Sequence, residues 1–212
     1  MITSNERKGF MKNVYYFLDF KTPFGSVHLV WTSGHGSDSL KRIFLSSPEK
    51  TSEELMREQF YGITRFSSPF IKELGSKITA FLEGAPHSLE AEPLSYEGCS
   101  LFQSACLQTE RKVPRGKIVT YGLLAEAAGN ATAARAAGAA LSKNPFPLLI
   151  PCHRAIKANG YLGGYQGGTA MKKKLLEREG IYFDHLNKTT LTPDTLCDLT
   201  LLKQPRRKEI SP

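Results

Sequence analysis

The chain has 212 residues, 41% of them hydrophobic and 23% charged, enough for one large domain or two small ones with a real core. No run reaches the roughly 18 apolar residues of a membrane span, and the polar start MITSNERKGFMKNVYYF lacks the apolar centre of a secretory signal, so an intracellular protein outside the membrane is expected. A net charge of +8 and a pI near 9.3 suit a polyanionic partner such as nucleic acid, and suit simple solubility equally well.

In chain order, VYYFLDF, GSVHLVWT and LKRIFLS are rich in β-branched and aromatic residues and predict three strands of an antiparallel sheet. TSEELMREQF opens with a capping-box pattern and predicts a helix. SPFIKELGSKITAFLEG places Phe70, Ile71, Leu74, Ile78, Phe81 and Leu82 at helical spacing, closed by Gly84 and Pro86. APHSLEAEPLSYEG reads as a linker, with a boundary near Tyr96. Beyond it, SLFQSACLQTERKVP predicts a helix stopped by Pro114, GKIVTY a short strand, YGLLAEAAG a helix closed by Gly129, and NATAARAAGAALSKN a second helix with small side chains. Helix, glycine turn, helix is the order of a helix-turn-helix. GGTAMKKKLLEREG predicts a last helix with Thr169 as N-cap and Gly180 at C′. From about Asn187 the chain reads as a polar tail. The expected division is therefore 1–96, 97–186 and 187–212.

The cysteines Cys99, Cys106, Cys152 and Cys197 form no CxxC pair, which argues against a zinc ribbon. In LLIPCHRAIKANGYLGGYQGG, Cys152 and His153 lie between an apolar run and a glycine-rich loop. A thiol attacks as thiolate, so it needs a base or positive surroundings. His153 supplies the base and Arg154 the charge. In an extended segment neighbouring side chains point apart, so a water would relay between Cys152 and His153. A carboxylate from the last helix, Glu177 or Glu179, would orient the imidazole and favour its charged form. Taken alone, the pair fits a small buried cysteine better than a nucleophile. Arg135 is the single long side chain on an alanine-rich helix. Such a helix either packs closely on a neighbour or lets nucleic acid approach, with the arginine entering the base stack.

Together these segments resemble the O6-alkylguanine-DNA alkyltransferases. IPCHRAI is similar to the family's active-site signature, VPRGKIVTYG to the approach to its helix-turn-helix, GNATAARAAGAALSKNP to its arginine-bearing recognition helix, GYLGGYQGG to its substrate loop, and LLEREG to its final glutamate. The likeness runs from about Phe102 to Ile181. It implies a ribonuclease-H-like α/β N-terminal domain and a mainly α, winged-helix-like helix-turn-helix domain. It also implies direct-reversal DNA repair: irreversible transfer of the alkyl group from O6-alkylguanine, and from O4-alkylthymine, to Cys152, once per molecule, by a monomer acting on double-stranded DNA without cofactor or membrane. In this reading His153 acts through water and Glu179 polarises it. Tyr121 donates to the extruded base, Arg135 fills the vacated stack, Asn144 braces the active-site turn, and Arg154 adds positive charge toward the DNA. Tyr165 and the backbone at Gln166 line the base pocket; Gln166 replaces a small hydroxyl residue of some members. The zinc site that some members carry in the first half is not expected from Cys99, His28, His35 and His87. Cys152 argues against a lesion-binding relative without chemistry, and the alanines around Arg135 argue against a sequence-reading transcription factor.

Overall fold

The computed structural model describes residues 14–34, 37–86, 89 and 93–199; His35, His87 and the final run KQPRRKEISP lie outside them. A four-stranded sheet has the order β3-β2-β1-β4. It comprises β1 (Tyr15–Thr22), β2 (Gly25–Gly34), β3 (Ser37–Leu45) and β4 (Thr64–Arg65). β2 runs antiparallel to both neighbours, and β4, which the sequence did not announce, pairs parallel with β1. Val27, Leu29 and Trp31 of β2 join Ile71, Leu74 and Ile78 of α2 (Pro69–Glu83) in one core, while Val30 packs with Met56 of α1 (Ser52–Gln59). Period-two alternation thus sends successive residues of one strand into two helix-covered layers. α1 carries the predicted capping box of Thr51 and Glu54, and α2 has Ser68 as N-cap, Pro69 at its start and Gly84 in the left-handed region. Gly75 is required on α2, because a Cβ there would meet the Phe20 ring at 1.9–2.3 Å.

Across the expected boundary, α3 (Leu101–Glu110), α4 (Tyr121–Ala127) and α5 (Ala134–Ser142) pack against one another. α3 ends at Glu110, ahead of the expected stop at Pro114. β5 (Val119–Thr120) pairs parallel with β6 (Ala155–Ile156), which fixes the first residue of α4 beside the segment that follows Cys152. The alanines of α5 divide between two faces: Ala137 and Ala140 are buried, while Arg135, Ala136 and Ala139 are exposed. α6 (Gly168–Arg178) begins one residue before the predicted cap; Thr169 makes no capping bond, and Gly167 occupies the cap position.

The halves are not separate in packing. One core cluster runs from Leu18 to Leu199, and the Ile43 N–H donates to the Pro145 carbonyl at 2.8 Å. The stretch expected as a polar tail is, up to Leu199, part of this body. Ile118 N–H donates to Thr195 O and Cys197 N–H to Ile118 O, both at 2.8 Å, and Cys197 and Leu199 are buried. Backbone hydrogen bonds carry this docking, and they leave no mark on side-chain pattern.

Candidate active site

Pro151 and the residues after it form a 3-10 turn, Cys152–Arg154, not the extended segment the sequence suggested. Asn144 sets this turn from the end of α5. Its Nδ2 donates to Ile150 O at 3.0 Å and lies 3.2 Å from Cys152 Sγ, while its Oδ1 accepts from Phe146 N–H at 2.9 Å. Between them, Leu148 is held at φ 77°, a left-handed conformation that costs a non-glycine residue of order 1–3 kcal/mol. Cys152, 6% exposed, lines a cavity of about 580 Å³. Arg135 and Gly138 of α5, Tyr165 and Gln166 of the glycine loop, and Tyr121 line it as well. Gly163, at φ 73°, is required there because a Cβ would stand 2.7 Å from Tyr121 Oη.

Behind the cavity, Glu179 rather than Glu177 meets the imidazole. His153 Nε2 lies 3.1 Å from Glu179 Oε1. Burial works against the charge of Glu179, but hydrogen bonds from His153 and Arg154 outweigh it and bring the carboxyl down to about 2. Burial also lowers the pKa of His153, more than Glu179 raises it, so the imidazole is neutral at pH 7 and the expected charged form is not the resting one. Opposite an ionised Glu179 the proton belongs on Nε2. Nδ1, which has no hydrogen-bond partner among the described residues, is then the basic nitrogen. The Cys152 thiol is pushed up to about 11, mainly by burial, with the Asn144 contact opposing. At neutral pH the sulfur is held as a thiol.

Arg154 corrects the expectation of a DNA contact. It is 5% exposed, and its Nε and Nη2 donate to Glu179 at 2.9 Å and its Nη1 to Val113 O at 2.6 Å. A guanidinium whose donors are turned inward holds Glu179 in place and cannot also grip a phosphate. Tyr121, Arg135, Tyr165, Gln166 and Cys152 do meet around one cavity. Burial raises Tyr121 to about 12 and Tyr165 well above the usual tyrosine range, so both hydroxyls keep their protons.

Two buried ionisable residues escaped the sequence reading. Lys172, fully buried, donates from Nζ to Ala155 O at 2.6 Å and Gly164 O at 3.1 Å, and lies 3.5 Å from Tyr121 Oη. It ties the glycine loop to β6, and burial brings it down to about 8. Its spacing from Leu175, Leu176 and Glu179 along α6 is a helical stripe, which is the signal that could have found it. Glu110 is fully buried, and neither carboxylate oxygen has a hydrogen-bond partner among the described residues. Burial raises it to about 8, against the pull of Lys172 and Arg154.

Glu110 gives a pH prediction. Its folded pKa is above its unfolded value, so between about pH 4.5 and 8 the folded chain holds a proton that the unfolded chain releases. Glu110 therefore takes stability away as pH rises through that window, by up to about 1.4 kcal/mol per pH unit, while His28 and His153, whose pKa values burial lowers, act in the opposite sense below about pH 6.5. Lys172 acts in the opposite sense only above about pH 8. Glu110→Gln should therefore gain steadily in stability relative to wild type between pH 5 and 8 in denaturant unfolding, a difference from which the histidines, common to both proteins, cancel. Parallel stability profiles for the two proteins would refute it.

The chain matches the family described as 6-O-methylguanine DNA methyltransferase, DNA binding domain, over residues 101–181. It is 45% identical over 111 residues to the methylated-DNA–protein-cysteine methyltransferase of Methanothermobacter thermautotrophicus, a match covering 52% of this chain and 62% of that relative. With the protein of the same name from Metallosphaera sedula it shares 36% over 162 residues, 76% of this chain and 90% of the other. Among solved structures it is similar to O6-methylguanine methyltransferase of Mycobacterium tuberculosis, with a TM-score of 0.59 and 28% identity over 90% of this chain and all of that one. A structure of Mycobacterium tuberculosis OGT in complex with DNA gives 0.59 and 29% over 78% and 93% of the two chains.

Proposed function

The chain belongs to the methylated-DNA–protein-cysteine methyltransferase family, and from that premise we propose that it repairs O6-alkylguanine in duplex DNA by taking the alkyl group onto Cys152. The observation that carries this reading is that Cys152 lines a cavity of about 580 Å³ together with Arg135, Tyr121 and Tyr165. A nucleotide turned out of the helix would enter it, at a cost of a few kcal/mol. The thiol proton passes through water to His153 Nδ1, the imidazole being held through Nε2 by Glu179. Sγ then attacks the alkyl carbon, the bond from carbon to O6 breaks, and its electron pair stays with the base. The base regains a proton, so the net change moves the alkyl group to sulfur and the thiol proton to guanine. The Tyr121 hydroxyl, still protonated and 3.5 Å from Lys172 Nζ, donates to the base as charge builds on it.

Residues 97–186 carry this chemistry in this reading, with α4 and α5 as a helix-turn-helix on the DNA and residues 1–96 as a ribonuclease-H-like support. All the groups invoked come from one chain, so a monomer suffices. A thioether does not revert with water, and each molecule therefore acts once. The test is an oligonucleotide duplex bearing one O6-methylguanine. A single methyl mass gain on the Cys152 peptide, and product that plateaus near one per protein with excess DNA, are expected. Methyl on another residue, or product accumulating linearly over many equivalents, would overturn the proposal.

A further inference from the structure

A second groove of about 570 Å³ lies beside the first cavity and shares Lys157, Gly163 and Gly164 with it. Lys157 and Tyr161, which line it, belong to a tight hairpin: Lys157 N–H donates to Tyr161 O at 2.9 Å and Gly160 N–H to Lys157 O at 3.0 Å. The hairpin is pinned to the docked segment, with Tyr161 bridged antiparallel to Lys188 and Thr189 N–H donating to Gly160 O at 3.0 Å. Gly160 is needed for that contact, since at φ 84° a Cβ would fall 2.3 Å from Thr189 O. Across the groove stands Lys173 of α6, its Nζ 2.7 Å from Asn187 Oδ1. The backbone, not flexible side chains, therefore sets the spacing of Lys157, Tyr161 and Lys188.

We propose that this groove, together with the adjoining surface where Lys188 stands opposite Tyr161, holds the damaged strand immediately beside the extruded nucleotide, with Lys173 in the groove and Lys188 next to it on its phosphates and Tyr161 against a flanking base. The proposal rests on the repair reading above. A strand that turns one nucleotide into a pocket has to leave the mouth on both sides. One side of this mouth is α5, with Arg135, where the duplex lies. The other opens at Lys157 into the groove. Its chemistry fits a nucleic-acid strand: lysines for phosphates, and a partly exposed Tyr161 next to the exposed Leu186 as an apolar face for a base. The acid nearby, Asp184, is engaged in its own turn, where Oδ1 accepts from the Leu186 and Lys188 N–H groups at 2.8 and 2.9 Å.

The test uses the full chain carrying Lys173→Gln with Lys188→Gln, the single variant Tyr161→Ala, and a control pair, Lys21→Gln with Lys72→Gln, on β1 and α2. Duplex affinity is measured across salt concentrations, and transfer is measured from free O6-benzylguanine. Loss of two phosphate contacts should lower the salt slope by about 1.8 in the groove pair and leave the control pair unchanged. Tyr161→Ala should weaken lesion-bearing duplex fivefold or more, the low end for one stacked base, and hardly change undamaged duplex. All variants should react with the free base at the wild-type rate, which also reports an intact fold. An unchanged slope in the groove pair, or an equal fall in the control, would overturn the groove. Wild-type protein inert to both the free base and damaged DNA would instead overturn the repair reading.

Discussion

Cys152→Ala should reduce alkyl transfer to background while damaged duplex still binds. No other thiol can substitute. Cys106 and Cys197 are buried in the core, and burial pushes Cys106 up to about 11 and Cys197 upward. Cys99 lines a different cavity, beside Arg42 and Lys143. The variant should fold, because among the described residues the sulfur accepts one side-chain hydrogen bond, from Asn144, and Nδ2 keeps its bond to Ile150 O. The expected stability loss is about 1 kcal/mol. Rapid-quench assay of methyl transfer and titration of damaged duplex decide it together: residual transfer would assign the chemistry elsewhere, and loss of binding with loss of fold would leave Cys152→Ser as the variant to assay.

What the sequence disclosed and what it hid follow from different physics. Helix ends were legible where a side chain or glycine carries the cap: Thr51 with Glu54, and Gly84, Gly129 and Gly180 at positive φ. The start of α6 was misread because no side chain caps it. The site was legible as a set of residue types, but its internal geometry was not. Lys172, Lys173 and Lys174 are three identical letters, yet only the first is buried, and only packing decides which one. Glu110 looks like an ordinary helix-end carboxylate, whereas it lies on the same face of α3 as the buried Cys106 and Leu107. Arg154 looked like a charge for DNA because arginine usually is exposed. Its place in a 3-10 turn facing Glu179 depends on where α6 comes to rest, 25 residues further on.

Arg135→Ala should slow repair of duplex DNA by roughly a hundredfold or more while leaving reaction with a free O6-alkylguanine base near the wild-type rate. Arg135 is exposed on the first turn of α5, at the rim of the cavity that holds Cys152, and it makes no side-chain hydrogen bond or ion pair among the described residues, so its removal costs the fold little. Ala136 and Ala139 on the same exposed face present no bulk that would keep a groove away, which leaves the guanidinium as the projecting group. If it fills the stack vacated by the extruded base, its loss withdraws a few kcal/mol from the flipped state, and each 1.36 kcal/mol is tenfold in rate. A free base needs no extrusion and does not feel that loss. If Arg135 only pairs with a phosphate, the defect is one of affinity, and saturating duplex restores the rate. Single-turnover rates for wild type and Arg135→Ala on both substrates, at saturating concentration, separate these cases. Recovery on duplex would reduce Arg135 to a phosphate contact, and an equal fractional loss on duplex and free base would place the damage in the pocket around Cys152.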